Sequence, residues 1–257
     1  MNIISIIPAR MGSSRFPGKP MKDILGMPMI GHVYKRVKMS QTLSEVYVAT
    51  CDTEIYDYIE SIGGKAVMTS DCHERCTDRC AEAMLKIEKE TDEKCDIMVV
   101  VQGDEPLTFP QMIDEAVGPM KEDKSIVITN LVANIDTVEA FENPNEVKVV
   151  MDKFNNALYF SREPIPSRKK GVPEVPMKKQ VCVIPFTRDF LLEYNNMEPT
   201  PLEIIESVDM MRILENGMKV KMIPTEYITK AVDTKEDLDK VCELMIRDSI
   251  WKKYINI

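Results

Sequence analysis

MNIISIIPARMGSSRFPGKP, residues 1–20, changes character at Pro8, and that change points to the fold. Asn2 to Pro8 is a dense Ile run that reads as a buried strand. Pro8 to Pro20 is the reverse, a run of small residues carrying the cations Arg10, Arg15 and Lys19. Small residues let backbone N–H groups approach phosphate oxygens, and three cations offset the charge of a triphosphate. The loop suits a polyphosphate; taken alone, it also reads as a solvated basic turn. It is not a Walker A loop, because the spacing from Gly12 to Gly18-Lys19 is one residue too long and Pro20 stands where the hydroxyl residue belongs. Nor does it match a GxGxxG dinucleotide fingerprint.

Working outward, Glu45 to Thr50, Lys65 to Thr69 and Asp96 to Val101 read as further strands. Between them, Pro28 to Met39, Thr53 to Ile62 and Thr77 to Glu90 carry apolar residues at helical spacing. This βαβ series predicts an α/β fold, a Rossmann-like mixed, mainly parallel sheet flanked by helices. Ligands bind such sheets outside the carboxyl ends of the strands, so Arg10 and Asp104 point at one rim. Asp104 belongs to Gln102-Gly103-Asp104-Glu105-Pro106, directly after the apolar run IMVVV. Carboxylates beside phosphate-binding cations suit Mg²⁺, which takes one or two carboxylates plus substrate phosphates. A bare acidic turn is the alternative.

Beyond residue 125 the predicted elements shorten, with strands near Ile126 to Leu131, Val147 to Asp152, Ala157 to Ser161 and Lys179 to Phe186. Glu163 to Pro176, rich in Pro and Lys, reads as a loop excursion and a candidate lid. Thr200-Pro201 starts a helix that runs to about Asn216 and stops at Gly217. A strand at Lys219 to Pro224 and a helix from about Thr234 to Asp248 follow. The expected organisation is a single domain, with residues 1–125 and 200–257 as the core that carries the phosphate-type loop and 126–199 as a smaller lobe.

At 257 residues and 44% hydrophobic content the chain can bury a substantial core. A net charge of -9 argues against extended nucleic-acid binding and favours a nucleotide as the phosphate partner. The N-terminal apolar run has no basic region ahead of it and no small-residue cleavage site, and no uncharged run approaches membrane-spanning length. An odd count of seven Cys fits a reducing compartment better than a disulfide framework, so a cytoplasmic, soluble protein is expected. Cys72, His73, Cys76 and Cys80 resemble zinc ligands by type, but they fall within nine residues with no second ligand pair.

The stretches IIPARMGSSRFPGKP, PMIGHV, VQGDEP, NPNEVKVV, ALYFSR, PTPLEIIE and VDTKEDL occur here in one order along nearly the whole chain. In that order they resemble the CMP-Kdo synthetases, or 3-deoxy-manno-octulosonate cytidylyltransferases, of the nucleotide-diphospho-sugar transferase fold. The resemblance implies transfer of CMP from CTP to a 3-deoxy-ulosonic acid, Kdo or a relative, for surface polysaccharide synthesis. It implies that Arg10, Arg15 and Lys19 bind the CTP phosphates, with Ala9 and Ser13 or Ser14 nearby. By the same likeness Thr77 and Arg79 lie where cytosine is read, and Gln102, Arg162, Gln180 and Glu206 face the acceptor. Lys19, Asp104 and Asp233 would be catalytic, with Asp104 and Asp233 holding Mg²⁺ between triphosphate and sugar acid. Asp233 has a structural alternative, N-capping of the final helix, although Thr234 can fill that role. A homodimer is also implied, with the smaller lobe covering the acceptor and forming the dimer contact.

Departures from the family gather at the specificity positions. SGTER becomes RCTDR, with Cys76 for Gly and Asp78 for Glu, and a side chain at a glycine position shifts a loop. An Arg-His pair becomes Lys179-Gln180, and a Gln on the Pro201 helix becomes Met210. The linker holding Lys169 and Lys170 is shorter and more basic than usual. Polar exchanges around a sugar discriminate strongly between substrates, so the acceptor's identity is open, with amino-Kdo, a nonulosonate or a phosphonate as alternatives. A catalytically silent nucleotide-binding protein is the remaining alternative, opposed by intact Lys19, Asp104 and Asp233.

Overall fold

The computed structural model describes residues 1–13, 15–172 and 174–255. In chain order the elements are β1 (Ile3–Ala9), β2 (Asp23–Ile24), β3 (Met27–Pro28), α1 (Met29–Val37), β4 (Glu45–Thr50), α2 (Thr53–Ser61), β5 (Ala66–Met68), α3 (Cys76–Thr91) and β6 (Ile97–Val101). Then come α4 (Pro110–Glu122), β7 (Thr129–Asn134), α5 (Val138–Glu142), β8 (Lys148–Met151), β9 (Ala157–Ser161), β10 (Lys178–Val181) and β11 (Val183–Thr187). The chain closes with α6 (Arg188–Asn195), α7 (Pro201–Glu206), α8 (Met210–Glu215), β12 (Lys221–Pro224), α9 (Lys235–Ile246) and α10 (Trp251–Tyr254).

The first sheet runs β11-β6-β1-β4-β5. β1, β4, β5 and β6 are parallel, while β11 is antiparallel to β6. Strand alternation splits each strand between two cores. Ile3 and Ile7 pack with Ile30 of α1, Ile55 of α2 and Met112 of α4, whereas Ile4 and Ile6 pack with Met84 of α3, Phe190 of α6 and Met211 of α8. Helices therefore cover both faces, as near-continuous apolar strands require. After β5 the chain crosses back to place β6 on the other side of β1, and this reversal of strand order opens a crevice at their carboxyl ends. The loops after β1 and β6 flank it.

The second sheet, β12-β7-β10-β8-β9, is antiparallel except for the parallel pair β12 and β7. The expected single strand from Lys179 to Phe186 is two. β10 belongs to this sheet and β11 to the first, with Cys182 alone between them. Pro185, which cannot donate to a ladder, sits on β11, at the first sheet's margin. The strand near 219–224, expected with the nucleotide-binding core, instead joins this second sheet as β12.

The helix expected from Pro201 to Asn216 is also two. Ser207 adopts a left-handed conformation (φ 52°) that ends α7, and α8 starts afresh at Met210. The Thr200-Pro201 start is in place as a capping box with Glu203, and Gly217, at φ 74°, follows the last turn. Helix α4 was not legible in the sequence because Gly118 and Pro119 fall in its final turns, where a helix pattern would be expected to break.

Candidate active site

Two clefts meet at the crevice. One, of 310 Å³, is lined by the loop after β1, by His73 to Cys76 and Arg79, and by Gln102 to Asp104. The other, of 410 Å³, lies toward the second sheet and is lined by Glu105, Asn145, Glu146, Arg162, Lys179 and Gln180, among others. Arg15, Gln102 and Asp104 line both, so a ligand in either cleft borders the other. The two rim loops touch: a Cβ on Gly103 would stand 2.7 Å from the Pro8 carbonyl oxygen, so only glycine fits there.

Lys19 stands at the centre. Its Nζ donates to Asp104 Oδ2 at 2.8 Å and to Asp233 Oδ1 at 3.2 Å, and Arg15 reaches Asp233 at 3.0 Å. Burial opposes the charge on Lys19, yet the two carboxylates outweigh it and hold its pKa above the ordinary lysine value. Chain separation is bridged by the backbone, since Val232 N–H donates to the Asp104 carbonyl at 2.9 Å. Thr234, not Asp233, caps α9: its Oγ1 accepts from Asp237 N–H at 3.1 Å. The Asp233 carboxylate is thereby left to the crevice.

The rest of the loop after β1 is held from outside. Met11 N–H donates to Asp52 Oδ2 at 2.8 Å, and Ser13 Oγ accepts from Phe16 N–H at 3.3 Å. Ala9 is buried, and Arg10 is exposed at the cleft. Ser14 lies outside the described residues. Arg79 lines the first cleft, braced by the Thr69 hydroxyl and the Ser70 carbonyl. Thr77 does not line it; the residue is 1% exposed and faces Asp209. Arg75 and Cys76, at departures from the family pattern, occupy the cleft wall instead.

The four zinc-like side chains diverge. Cys72 is exposed beside Ser70, His73 pairs with Glu82, Cys76 receives a hydrogen bond from Gln102 Nε2 at 3.2 Å, and Cys80 is buried. Glu82 is held down to about 2: burial pushes it up, but Lys86, His73 and the Ser70 N–H outweigh that. All seven cysteines are free.

On the second-sheet side, Gln180 Nε2 donates to Asn130 Oδ1 at 2.6 Å, and Lys179 pairs with Glu146 at 2.9 Å. Arg162 lines the cleft but spends its guanidinium on backbone carbonyls, of Glu206 (2.7 Å), Pro144 (2.9 Å) and Ser207 (3.2 Å). Glu206, expected to face the acceptor, does not line the cleft. Its carboxylate accepts from Tyr159 OH, Ser161 Oγ and Arg162 N–H at 2.8 to 3.0 Å, bracing the end of β9 from behind. Met210 is buried in the core, so the Gln-to-Met departure is a packing change.

Sequence reasoning missed two features. Glu105, within the quoted QGDEP motif, lines the second-sheet cleft; burial, then the Asp104 charge, push its carboxyl up to about 7. Buried Glu203 holds Arg212 with two bonds of 2.7 Å, and Arg75 joins Asp209 at 2.7 Å, tying the start of α3 to α7 and α8. Isolated charges on short helices gave no signal for that network.

The cytidylyltransferase sequence profile matches residues 4–220. This chain is a member of the cytidylyltransferase family. It is 42% identical to a 3-deoxy-manno-octulosonate cytidylyltransferase of Geobacter metallireducens over 97% of this chain and all of the relative, and 44% identical to one of Geotalea uraniireducens over 95% and 98%. Among solved structures, a CMP:2-keto-3-deoxy-manno-octonic acid synthetase complexed with CTP superposes with a TM-score of 0.88 at 37% identity, covering 96% of this chain and 99% of that one. A glucose-1-phosphate thymidylyltransferase of Bacillus anthracis, at 14% identity and a TM-score of 0.64 over 94% of each chain, shares the fold. The resemblance read from seven short stretches is thus matched along the whole length of this cytidylyltransferase, and its mixed, parallel-rich sheet between helices is the architecture of these nucleotidyltransferases.

Proposed function

We propose that the protein transfers CMP from CTP to the anomeric hydroxyl of Kdo or a closely related 3-deoxy-ulosonic acid, releasing pyrophosphate. The observation that carries this reading is the convergence of Lys19, Asp104 and Asp233 on the wall shared by two clefts. The triphosphate would lie in the cleft of the loop after β1, with Arg10, Arg15 and Lys19 donating to its oxygens. The sugar acid would lie beside Gln102, Arg162 and Gln180. In-line attack forms the bond from the anomeric oxygen to the α-phosphorus as the bond to pyrophosphate breaks. Such transfers depend on positioning and charge stabilisation, which fixed cations supply without a nucleophilic side chain.

Mg²⁺ belongs to this reading. Two carboxylates converging on a single cationic point form a hard oxygen donor set that leaves coordination positions for phosphate and water, which fits Mg²⁺. When bound by Asp104 and Asp233, the ion would neutralise phosphate charge.

Among the described residues no helix is long and apolar enough to cross a membrane, and the free cysteines accord with a cytoplasmic site of action in surface polysaccharide synthesis. A homodimer is supported by exposed apolar residues on the edge strand β9 and on α7, namely Leu158, Ile204 and Ile205. A second acceptor is favoured by one observation, the Lys179-Gln180 pair on the acceptor wall where the family resemblance has Arg-His. Pyrophosphate release from each of the four nucleoside triphosphates, measured against Kdo, amino-Kdo, a nonulosonate and a phosphonate, tests both readings. CTP with Kdo is expected to react fastest. Turnover with none of the acceptors would sink the assignment.

A further inference from the structure

The second-sheet cleft is rich in donors. Arg15, Asn145, Lys179, Gln180 and Lys230 line it, and a sugar acid offers its carboxylate and hydroxyl oxygens to such groups. Each hydroxyl also carries a proton that needs an acceptor. Most carboxylates on this wall are already engaged: Asp104 and Asp233 by Lys19, Glu146 by Lys179, and Asp237 by Lys230. Glu105 is different. The Thr229 hydroxyl is the one side chain that bonds to its carboxyl; Oε2 is buried with no hydrogen-bond partner, and no ion pair reaches the residue among the described groups. A buried carboxyl oxygen without a partner is destabilising, and such groups are retained where a ligand completes them.

We infer that Glu105 is an acceptor-binding residue, its carboxyl taking the proton of a sugar hydroxyl in a hydrogen bond and so selecting a polyhydroxylated acid. The inference rests on the function proposed above and deepens it. Neighbouring Asp104 faces the shared wall, while Glu105 lines only the second-sheet cleft, which separates its role from that of the metal-binding pair. The bond needs no change of protonation, because either form of the carboxyl has an oxygen that accepts from a hydroxyl.

The test compares wild type, Glu105→Gln and Glu105→Ala in steady-state kinetics with Kdo and with a set of singly deoxygenated Kdo analogues. Glu105→Ala is expected to raise the KM for Kdo about 10- to 100-fold, the range for losing a hydrogen bond to a charged group. Glu105→Gln, which keeps one accepting oxygen, is expected to lose less. CTP affinity measured without acceptor, and the half-saturating Mg²⁺ concentration, should stay within about twofold in both variants. One deoxy analogue should be disfavoured by wild type and not by Glu105→Ala, a readout that a merely structural role would not produce. Should Glu105→Ala prove unstable by thermal melting, the same analogue series on Glu105→Gln decides the matter. An unchanged KM for Kdo, or a parallel rise in the Mg²⁺ requirement, overturns the inference. Wild type failing to use any ulosonic acid instead overturns the functional reading and the inference together.

Discussion

The cleft of the loop after β1 and the cleft toward the second sheet share a wall but are assembled on opposite plans. In the first, mobile-ended cations are held by carboxylates, with Lys19 between Asp104 and Asp233 and Arg15 on Asp233. In the function proposed above these pairs would be exchanged for phosphate oxygens; in the structure the charge of the cleft is held by internal partners. In the second, the principal cation, Arg162, is fixed on three backbone carbonyls, one from the loop before β8 and two from the end of α7, and Glu206 locks the backbone beneath it. Its geometry is set before any ligand arrives. The difference teaches that at the first cleft each charge depends on a charged partner, whereas the second can change a side chain such as Gln180 without dismantling the frame that holds Arg162.

The contrast is broken most directly at Asp104. Asp104→Asn is expected to lower turnover by about a thousandfold or more, the scale of losing one charge-stabilising group in a phosphoryl-type transfer, without changing the melting temperature. Unchanged activity in saturating Mg²⁺ would falsify the metal assignment. Arg212→Leu attacks the frame behind the clefts. It removes the nearer cation from fully buried Glu203, leaving Arg75 at 3.5 Å, and is expected to destabilise the fold by about 3 kcal/mol in urea titrations, the low end for removing one partner of a buried pair.

A smaller effect comes from pH. His32 donates from Nε2 to the Ile24 carbonyl at 2.8 Å and accepts at Nδ1 from Tyr254 OH at 2.7 Å, an arrangement for neutral imidazole, and burial lowers its pKa from 6.5 to about 4. The unfolded chain therefore binds this proton more readily than the folded one. The stabilisation is complete above pH 6.5 and is lost as pH falls toward 4, by up to about 3 kcal/mol. Denaturation midpoints across that window should fall less steeply for His32→Gln than for wild type. The smallest change is expected from Gln180→His, a shift of less than about tenfold in the acceptor KM with the CTP KM unmoved, because only one hydrogen bond on a pre-set wall is altered. A matching change in CTP KM would show that the two clefts are not separable.

Legibility in the sequence follows the same divide. The first sheet was readable because its parallel strands are rich in Val and Ile and a helix pattern follows β1, β4 and β5, and the reversal at β1 and β6 brings Arg10 and Asp104 to one rim as strand order requires. Lys19, Asp104 and Asp233 came together as expected. The second sheet was harder to read, since its short strands are half-buried and pair across long separations. Nothing local marks Cys182 as the point where the chain leaves one sheet for the other, or Ser207 as a helix end. Thr77 and Glu206 were expected at the site from the family resemblance alone, yet face Asp209 and the end of β9 rather than the clefts, because helix phase and the break at Ser207 determine where they point.

The passage of the chain through Cys182 alone limits how this molecule can move. β10 ends at Val181 and β11 begins at Val183, and the Thr187 N–H bonds to the Val127 carbonyl at 2.8 Å, so the two sheets are spliced along their length rather than joined by a tether. A hinge between halves has no segment in which to bend there. At this crossing Gln180 on the wall of one cleft and the end of β6 behind the other are therefore held in one continuous run of strand.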